Sequence, residues 1–349
     1  MKKKLGIVYF LRGENGVAAY AWHLRKLMAD KYDTVIYTIK GVSDNIEGAE
    51  RLTFNSKHND LDKLQSCDIL HFMSVSENGS RKQRKENAHS RLHPYLSKLK
   101  YFVTVHSIEN DLKLSLDVDF VLQNAKGIIL TSESNKKHYL TKYENVHVLP
   151  LPFISSQNTD NKPEKKIVNI SRFISYKKQF EFVQIAKILP DYKFVIWGKM
   201  YSDSERKHPV NGMMGKMYEK RIMDFINENK LTNVEILNKS ISLKDALSGA
   251  LAMVDLSFFA DKDRPQYTTL EAIEHKVIPI IHPNYSGRLR NEKECLTAVT
   301  PEDAANAILQ IDRIGYDNFV INGEKYLEEY TSSAEDKFSK VYESIADEK

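Results

Sequence analysis

The stretch Ile167-Val168-Asn169-Ile170-Ser171-Arg172-Phe173-Ile174-Ser175-Tyr176-Lys177 decides how this chain is read. Its first four residues form an apolar run of strand length, and the loop that follows delivers two cations, Arg172 and Lys177. A planar guanidinium and a point-charge ammonium at the end of a buried strand suit a bound diphosphate. About ninety residues on, Asp263-Arg264-Pro265-Gln266-Tyr267-Thr268-Thr269-Leu270-Glu271 carries an acid and then enters a helical pattern. The first-turn N–H groups of that helix, at Thr268 and Thr269, would also face an anion. Each stretch has a plainer reading. The cations could be solvated loop residues, and Asp263 and Glu271 could be acids that the helix dipole favours. It is their order and separation that point to one shared anion site.

Outward from these stretches, short apolar runs alternate with helical patterns. In the first half, strands are expected at residues 5–10, 34–39, 69–73, 101–105, 128–130 and 146–149, with the clearest helix at 18–30. In the second half they are expected at 167–170, 193–197, 234–237, 252–256 and 277–281. Such alternation predicts parallel sheets covered by helices on both faces, so the fold class is α/β, with two Rossmann-like domains. A polar stretch, Ser155-Ser156-Gln157-Asn158-Thr159-Asp160-Asn161-Lys162-Pro163, reads as the linker between residues 1–157 and 163–329. Near the end, Phe338, Val341, Tyr342 and Ile345 recur at helical spacing, so the last segment reads as an amphipathic helix.

Composition agrees with two ordinary cores. The chain has 349 residues, 42% hydrophobic and 28% charged, roughly twice the usual domain length. Two cysteines, Cys67 and Cys295, supply neither a disulfide framework nor a metal-ligand cluster, and they fit a reducing compartment. Met1-Lys2-Lys3-Lys4 and the apolar run after it imitate a signal peptide, but Arg12 and Glu14 interrupt the run, which reads better as a buried first strand. No stretch reaches the about 20 apolar residues of a membrane helix, so a cytoplasmic location is expected.

Net charge is +4, mildly basic. The cations are densest at Arg81-Lys82-Gln83-Arg84-Lys85, with Arg91, Lys98 and Lys100 after them. Such a run is usually a solvated face, and it is also the first thing a nucleic-acid contact would need.

Two further positions follow strands. The loop Arg12-Gly13-Glu14-Asn15-Gly16-Val17 leads from the first strand into a helix, and Gly16 would let backbone approach a ligand closely. His106 follows the strand at 101–105, at the end where open α/β sheets bind ligands, with Glu109 and Asp111 near it.

These features together resemble the GT-B nucleotide-sugar glycosyltransferases, in particular the retaining kind grouped as family 4. The resemblance spans the Gly16 loop, the His106 loop, the linker, the Arg172/Lys177 loop, the acid pair and the last helix. It implies two Rossmann-like domains facing across a cleft, an acceptor domain at 1–157, a donor domain at 163–329, and a helix at 330–349 that crosses back to the first. It also implies roles. Arg172 and Lys177 would hold the donor diphosphate and stabilise its charge as the glycosidic bond breaks. Glu271 would bond the ribose, and Asp263 and His106 would lie by the transferred sugar. Gly16, Tyr267, Thr268 and Thr269 would meet the donor. UDP-glucose is the implied donor, with front-face sugar transfer, no covalent intermediate and no required metal or other cofactor.

Three residues depart from the family pattern. Asp263 stands where Glu is commoner, and Lys178 and Lys276 stand where Gly is usual. Narrower matches are Cys67-Asp68-Ile69-Leu70 with Ser74-Val75, His106-Ser107, Ser132 with Asn135, Tyr267-Thr268 before Leu270-Glu271, and the placement of Pro279. They resemble the bacteriophage DNA α-glucosyltransferases. That implies a hydroxymethylated base as acceptor, turned out of the duplex, with Arg81, Lys82, Arg84, Lys85, Arg288 and Arg290 near backbone phosphates. Two alternatives stay open: a family 4 enzyme of polysaccharide or glycolipid synthesis, and a nucleotide- or DNA-binding protein that kept the fold without catalysis.

Overall fold

The computed structural model describes residues 2–9, 16–39, 48–54, 60–73, 93–105, 116–155, 160–198, 207–208, 212–213, 216–237, 242–257, 264–285 and 289–346. These divide into two compact units, one of Met1–Ile154 with Tyr330–Lys349, the other Ser155–Glu329.

The first unit is built on seven parallel strands: β1 (Lys3–Tyr9), β2 (Tyr32–Ile39), β3 (Glu50–Leu52), β4 (Ile69–Met73), β5 (Tyr101–Val105), β6 (Gly127–Leu130) and β7 (Val146–Val148). Their spatial order is β3-β2-β1-β4-β5-β6-β7. Each central strand is a nearly unbroken apolar run because both sheet faces are covered, and β4, β5 and β6 are buried at every position. The helix Gly16–Leu27 follows β1, and Tyr20, Ala21 and Leu24 are fully buried along it.

The last helix, Tyr316–Ala346, gives its residues from Tyr330 onward to this unit. A polar chain ties it down. His71 on β4 is hydrogen-bonded through Nδ1 to the Tyr342 hydroxyl at 2.5 Å and through Nε2 to Thr104 Oγ1 on β5 at 2.5 Å. His71, Thr104, Phe338 and Tyr342 are all fully buried. At the rim, Lys31 donates to Ser339 Oγ at 2.9 Å and pairs with Glu335 at 3.3 Å.

The second unit carries six parallel strands: β8 (Lys166–Ile170), β9 (Lys193–Trp197), a short antiparallel hairpin of β10 (Lys207–His208) and β11 (Gly212–Met213) set apart from the sheet, then β12 (Val234–Leu237), β13 (Ala252–Asp255), β14 (Ile278–Ile281) and β15 (Leu296–Thr297). The sheet order is β12-β9-β8-β13-β14-β15. Alternate residues of β8 feed opposite cores. Ile167 packs with Phe182, Phe194 and Ile280, while Val168 and Ile170 pack with Val195, Met253 and Ala272.

Pro279 sits inside β14 without breaking the sheet. Ile278 donates its N–H toward β13, to Leu251 O at 3.1 Å, so the next residue's missing N–H faces the other neighbour. On that side β15 pairs with β14 only from Ile280 onward.

In chain order this second sheet runs third, second, first, fourth, fifth, sixth. Connections leave β8 toward one edge and β13 toward the other, so the winding reverses between these two strands. Open sheets of this kind offer a crevice beyond the carboxyl ends of the strands at the point of reversal. Here those ends are Ser171, after β8, and Leu256, after β13.

Candidate functional site

Beyond β8 the chain makes a short 3₁₀ turn, Ser175–Lys177, and then a helix, Gln179–Ile188. A buried polar chain holds this loop to the sheet. Asn169 Nδ2 donates to Val254 O at 2.8 Å, Ser171 Oγ donates to Asn169 Oδ1 at 2.8 Å, and Gln179 Nε2 donates to Ser171 Oγ at 2.6 Å and Arg172 O at 2.7 Å. The loop backbone is thereby fixed through side chains that cannot trade partners with water, since Asn169 and Gln179 are buried. Gly198, just after β9, passes so close to the Ser171 carbonyl that any Cβ there would overlap it.

Lys177 turns inward from this loop. Its Nζ donates to Gln266 Oε1 at 3.1 Å and lies 3.8 Å from Asp255 Oδ2 at the end of β13, with the lysine side chain only 14% exposed. Gln266 Nε2 donates to the same Asp255 oxygen at 3.3 Å. Asp255 Oδ1 in turn accepts from the Ser257 N–H at 3.0 Å and from the Ser257 hydroxyl. Arg172 lies exposed at the mouth of the same loop.

Gln266 also begins the helix Tyr267–Glu274 as its N-cap. Its side chain makes no cap, having turned to Lys177 and Asp255, and no acid sits in the first turn. The positive end of the helix is therefore not offset by a carboxylate of its own first turn. Within that turn the Thr269 N–H donates to Gln266 O at 3.1 Å and the Thr269 side chain is buried. Tyr267, Thr268 and Thr269 make up that first turn, with the Thr269 N–H sharing the Gln266 carbonyl with the Leu270 N–H, also at 3.1 Å.

Glu271 is one turn further along, on the same helix. Burial, and then the neighbouring Glu274 charge, push its carboxyl up to about 7. His275 Nδ1 donates to Glu271 O at 2.8 Å and closes the helix end. Lys178 and Lys276, at the two positions where glycine is usual in the resembling family, both adopt left-handed backbone, with φ of 61° and 58°. The turns thus keep a glycine-type geometry without glycine.

Other expected residues are placed as follows. Gly16 is the first residue of the helix after β1. Arg290 has its guanidinium engaged by the buried Glu294, with Nε at 2.9 Å from Oε1, Nη2 on the same oxygen, and the Arg290 N–H at 2.7 Å from Oε2. Its charge is compensated locally, which weakens it as a phosphate contact. His106, Asp263, Arg288 and the run Arg81, Lys82, Arg84 and Lys85 lie outside the described residues. Asp255 and Gln266 carry the arrangement without having been singled out in the sequence. One signal was there: an acid directly after the apolar run Ala252-Met253-Val254, where a strand buried on both faces calls for another apolar residue.

Among the described residues no helix is long and apolar enough to cross a membrane. No protein-family model and no curated protein matches the chain. Solved structures do. An α-glucosyltransferase in complex with UDP and a 13-mer DNA containing a HMU base is similar at a TM-score of 0.71 and 14% identity, over 99% of this chain and 100% of that one. Anabaena HepE in complex with UDP and glucose is similar at 0.71 and 11%, over 99% and 100%. The sucrose-phosphate synthase of Thermosynechococcus elongatus is similar at 0.63 and 13%, over 99% of both chains. The fold is GT-B, two parallel α/β sheets of seven and six strands, and the structures it resembles are glycosyltransferases.

Proposed function

We propose that this chain is a retaining glycosyltransferase that moves glucose from UDP-glucose to a hydroxyl group, the acceptor being the hydroxymethyl group of a pyrimidine in DNA. The observation that carries the donor half is the meeting of Lys177 with the N-cap of the helix Tyr267–Glu274 at the winding reversal of the second sheet. A largely buried ammonium that meets the N-cap of a helix with no carboxylate in its own first turn is an arrangement that an anionic ligand completes.

In this reading the second unit holds the donor. Arg172 and Lys177 take the diphosphate, the Thr268 and Thr269 N–H groups meet its oxygens, and Tyr267 lies against the donor. Glu271 accepts from the ribose hydroxyls. His106 and Asp263 belong beside the sugar, and Gly16, at the start of the first unit's first helix, allows close backbone approach. Transfer breaks the bond between the anomeric carbon and the β-phosphate oxygen and forms one to the acceptor oxygen. The acceptor's proton passes to the departing diphosphate. Cations on the diphosphate stabilise charge that grows as that bond breaks, which is where fixed electrostatics contribute most.

Support for the acceptor comes from likeness to the structure that holds UDP together with HMU-containing DNA. Such a base must leave the stack to reach an enclosed donor. The basic run at Arg81, Lys82, Arg84 and Lys85, with Arg288, would lie along the duplex backbone, a contact that positions without reading sequence. The likeness to HepE with UDP and glucose supports the same donor, and the likeness to a sucrose-phosphate synthase, whose product is a sugar, favours a second acceptor class, an oligosaccharide or glycolipid.

The test is release of UDP from UDP-glucose in the presence of hydroxymethylated DNA, unmodified DNA, oligosaccharides or lipid acceptors. The proposal expects turnover with hydroxymethylated DNA alone, falling steeply as salt rises. Turnover confined to the sugar or lipid acceptors replaces the acceptor and keeps the donor. Failure of UDP to bind at all removes the whole reading.

A further inference from the structure

We infer that Asp255 is a positioning residue for the nucleotide diphosphate, holding the Lys177 ammonium and the Gln266 side chain in the arrangement that the diphosphate meets. The inference rests on the donor site proposed above and adds to it a residue that touches no ligand itself.

A carboxylate at the end of a strand buried on both faces is costly unless its oxygens are satisfied. The Asp255 side chain is 7% exposed, and each oxygen has two partners: Ser257 N–H and hydroxyl on Oδ1, Gln266 Nε2 and the Lys177 ammonium on Oδ2. Three segments are therefore tied to one group: the loop after β13, the 3₁₀ turn after β8, and the N-cap of the helix Tyr267–Glu274.

Gln266 completes a triangle. Its amide donates to Asp255 and its carbonyl accepts from Lys177, so the amide orientation is set by partners of opposite kind. The ammonium has three N–H donors, and Gln266 takes one at 3.1 Å. Asp255, at 3.8 Å, attracts the charge without taking a short hydrogen bond. Donors are left to turn toward a phosphate, while the flexible lysine stem is already ordered. Ordering completed during folding is not paid again when a ligand binds. An amide at position 255 would keep the volume and lose the charge that holds Nζ.

UDP titrated calorimetrically into the wild type, Asp255→Asn, Lys177→Met and the double variant tests this. Asp255→Asn should weaken UDP about tenfold, the size of one charge-assisted hydrogen bond. Lys177→Met should weaken it at least as much, and the double variant should bind within about twofold of Lys177→Met, because Asp255 acts through that ammonium. A purely structural loss would instead multiply with the lysine loss. Equal or tighter binding by Asp255→Asn also overturns the inference, for the carboxylate would then compete for Lys177 and not guide it. Should Asp255→Asn fold poorly, Gln266→Ala is the second variant, with about a threefold loss expected that again vanishes in the Lys177→Met background. A wild type that does not bind UDP removes the proposed function and this inference together. A wild type that binds UDP while Asp255→Asn acts independently of Lys177 removes only the inference.

Discussion

Lys178 and Lys276 share a backbone geometry that lysine rarely adopts, at φ of 61° and 58°, one before the helix Gln179–Ile188 and one after the helix Tyr267–Glu274. Both bracket the candidate site, and both carry a side-chain ion pair: Lys178 with Glu181 at 2.7 Å, Lys276 with Glu324 at 3.5 Å. A Cβ in the left-handed region costs about 1–2 kcal/mol, and these partly exposed pairs return less than about 1 kcal/mol.

Glycine removes the Cβ and returns some chain entropy to the unfolded state. Compared with alanine, which also removes the ion pair, Lys178→Gly and Lys276→Gly should each be more stable by about 0.5–1 kcal/mol in urea unfolding. Glycine and alanine variants of equal stability would show that these turns relax out of the left-handed region.

Much of this architecture was legible because parallel strands buried on both faces are continuous apolar runs, as at Ile69–Met73 and Tyr101–Val105. β3 and β15, at three and two residues, are too short to show any periodicity, and their places are set by pairing with β2 and β14. Lys177 was legible as a cation after a strand. Its partners were not, because Asp255 and Gln266 come from segments 78 and 89 residues away, and only the sheet order brings them together.

His23 predicts an acid-labile first unit. Its ring is buried on the helix Gly16–Leu27, tilted against Phe153 with centroids 4.7 Å apart, and its Nδ1 accepts from the Ile154 N–H at 3.2 Å. Burial, and then the Lys26 charge, push its pKa down from 6.5 to about 4. Between those values the unfolded chain takes up a proton that the folded ring refuses. Stability is therefore lost as pH falls below 6.5, and the loss levels off near pH 4 at about 3 kcal/mol. In urea unfolding at pH 7 and pH 5, His23→Asn should show a clearly smaller drop than the wild type. An unchanged drop would assign the acid lability to other groups.

The His71–Tyr342 contact predicts what fastens the last helix. Tyr342→Phe keeps the ring and removes the hydroxyl, leaving His71 Nδ1 buried without that partner. Such a loss costs about 1–3 kcal/mol. Lys31→Met breaks only the rim contacts to Ser339 and Glu335 and should cost well under 1 kcal/mol. Hydrogen exchange along residues 330–346 should rise in Tyr342→Phe and stay near wild type in Lys31→Met. The reverse order would place the anchor at the rim.

Glu271 predicts the opposite pH dependence in the second unit, together with a conflict between stability and binding. Its carboxyl titrates near 7 in the fold against 4.5 ordinarily, because burial and Glu274 disfavour the charged form. The folded state holds a proton between those values that the unfolded state has lost, so its contribution is intact below 4.5 and is lost as pH rises through 7, about 3 kcal/mol in all. Glu271→Gln keeps the shape and cannot ionise, so it should be more stable than wild type by up to about 3 kcal/mol at pH 8.5 and nearly equal to it at pH 4. If the carboxylate accepts from a ribose diol, the same variant should bind UDP about tenfold more weakly at pH 8.5. A stabilised Glu271→Gln that binds UDP as tightly as wild type would move the ribose away from this residue, while an unstabilised one would mean that the carboxylate meets solvent freely.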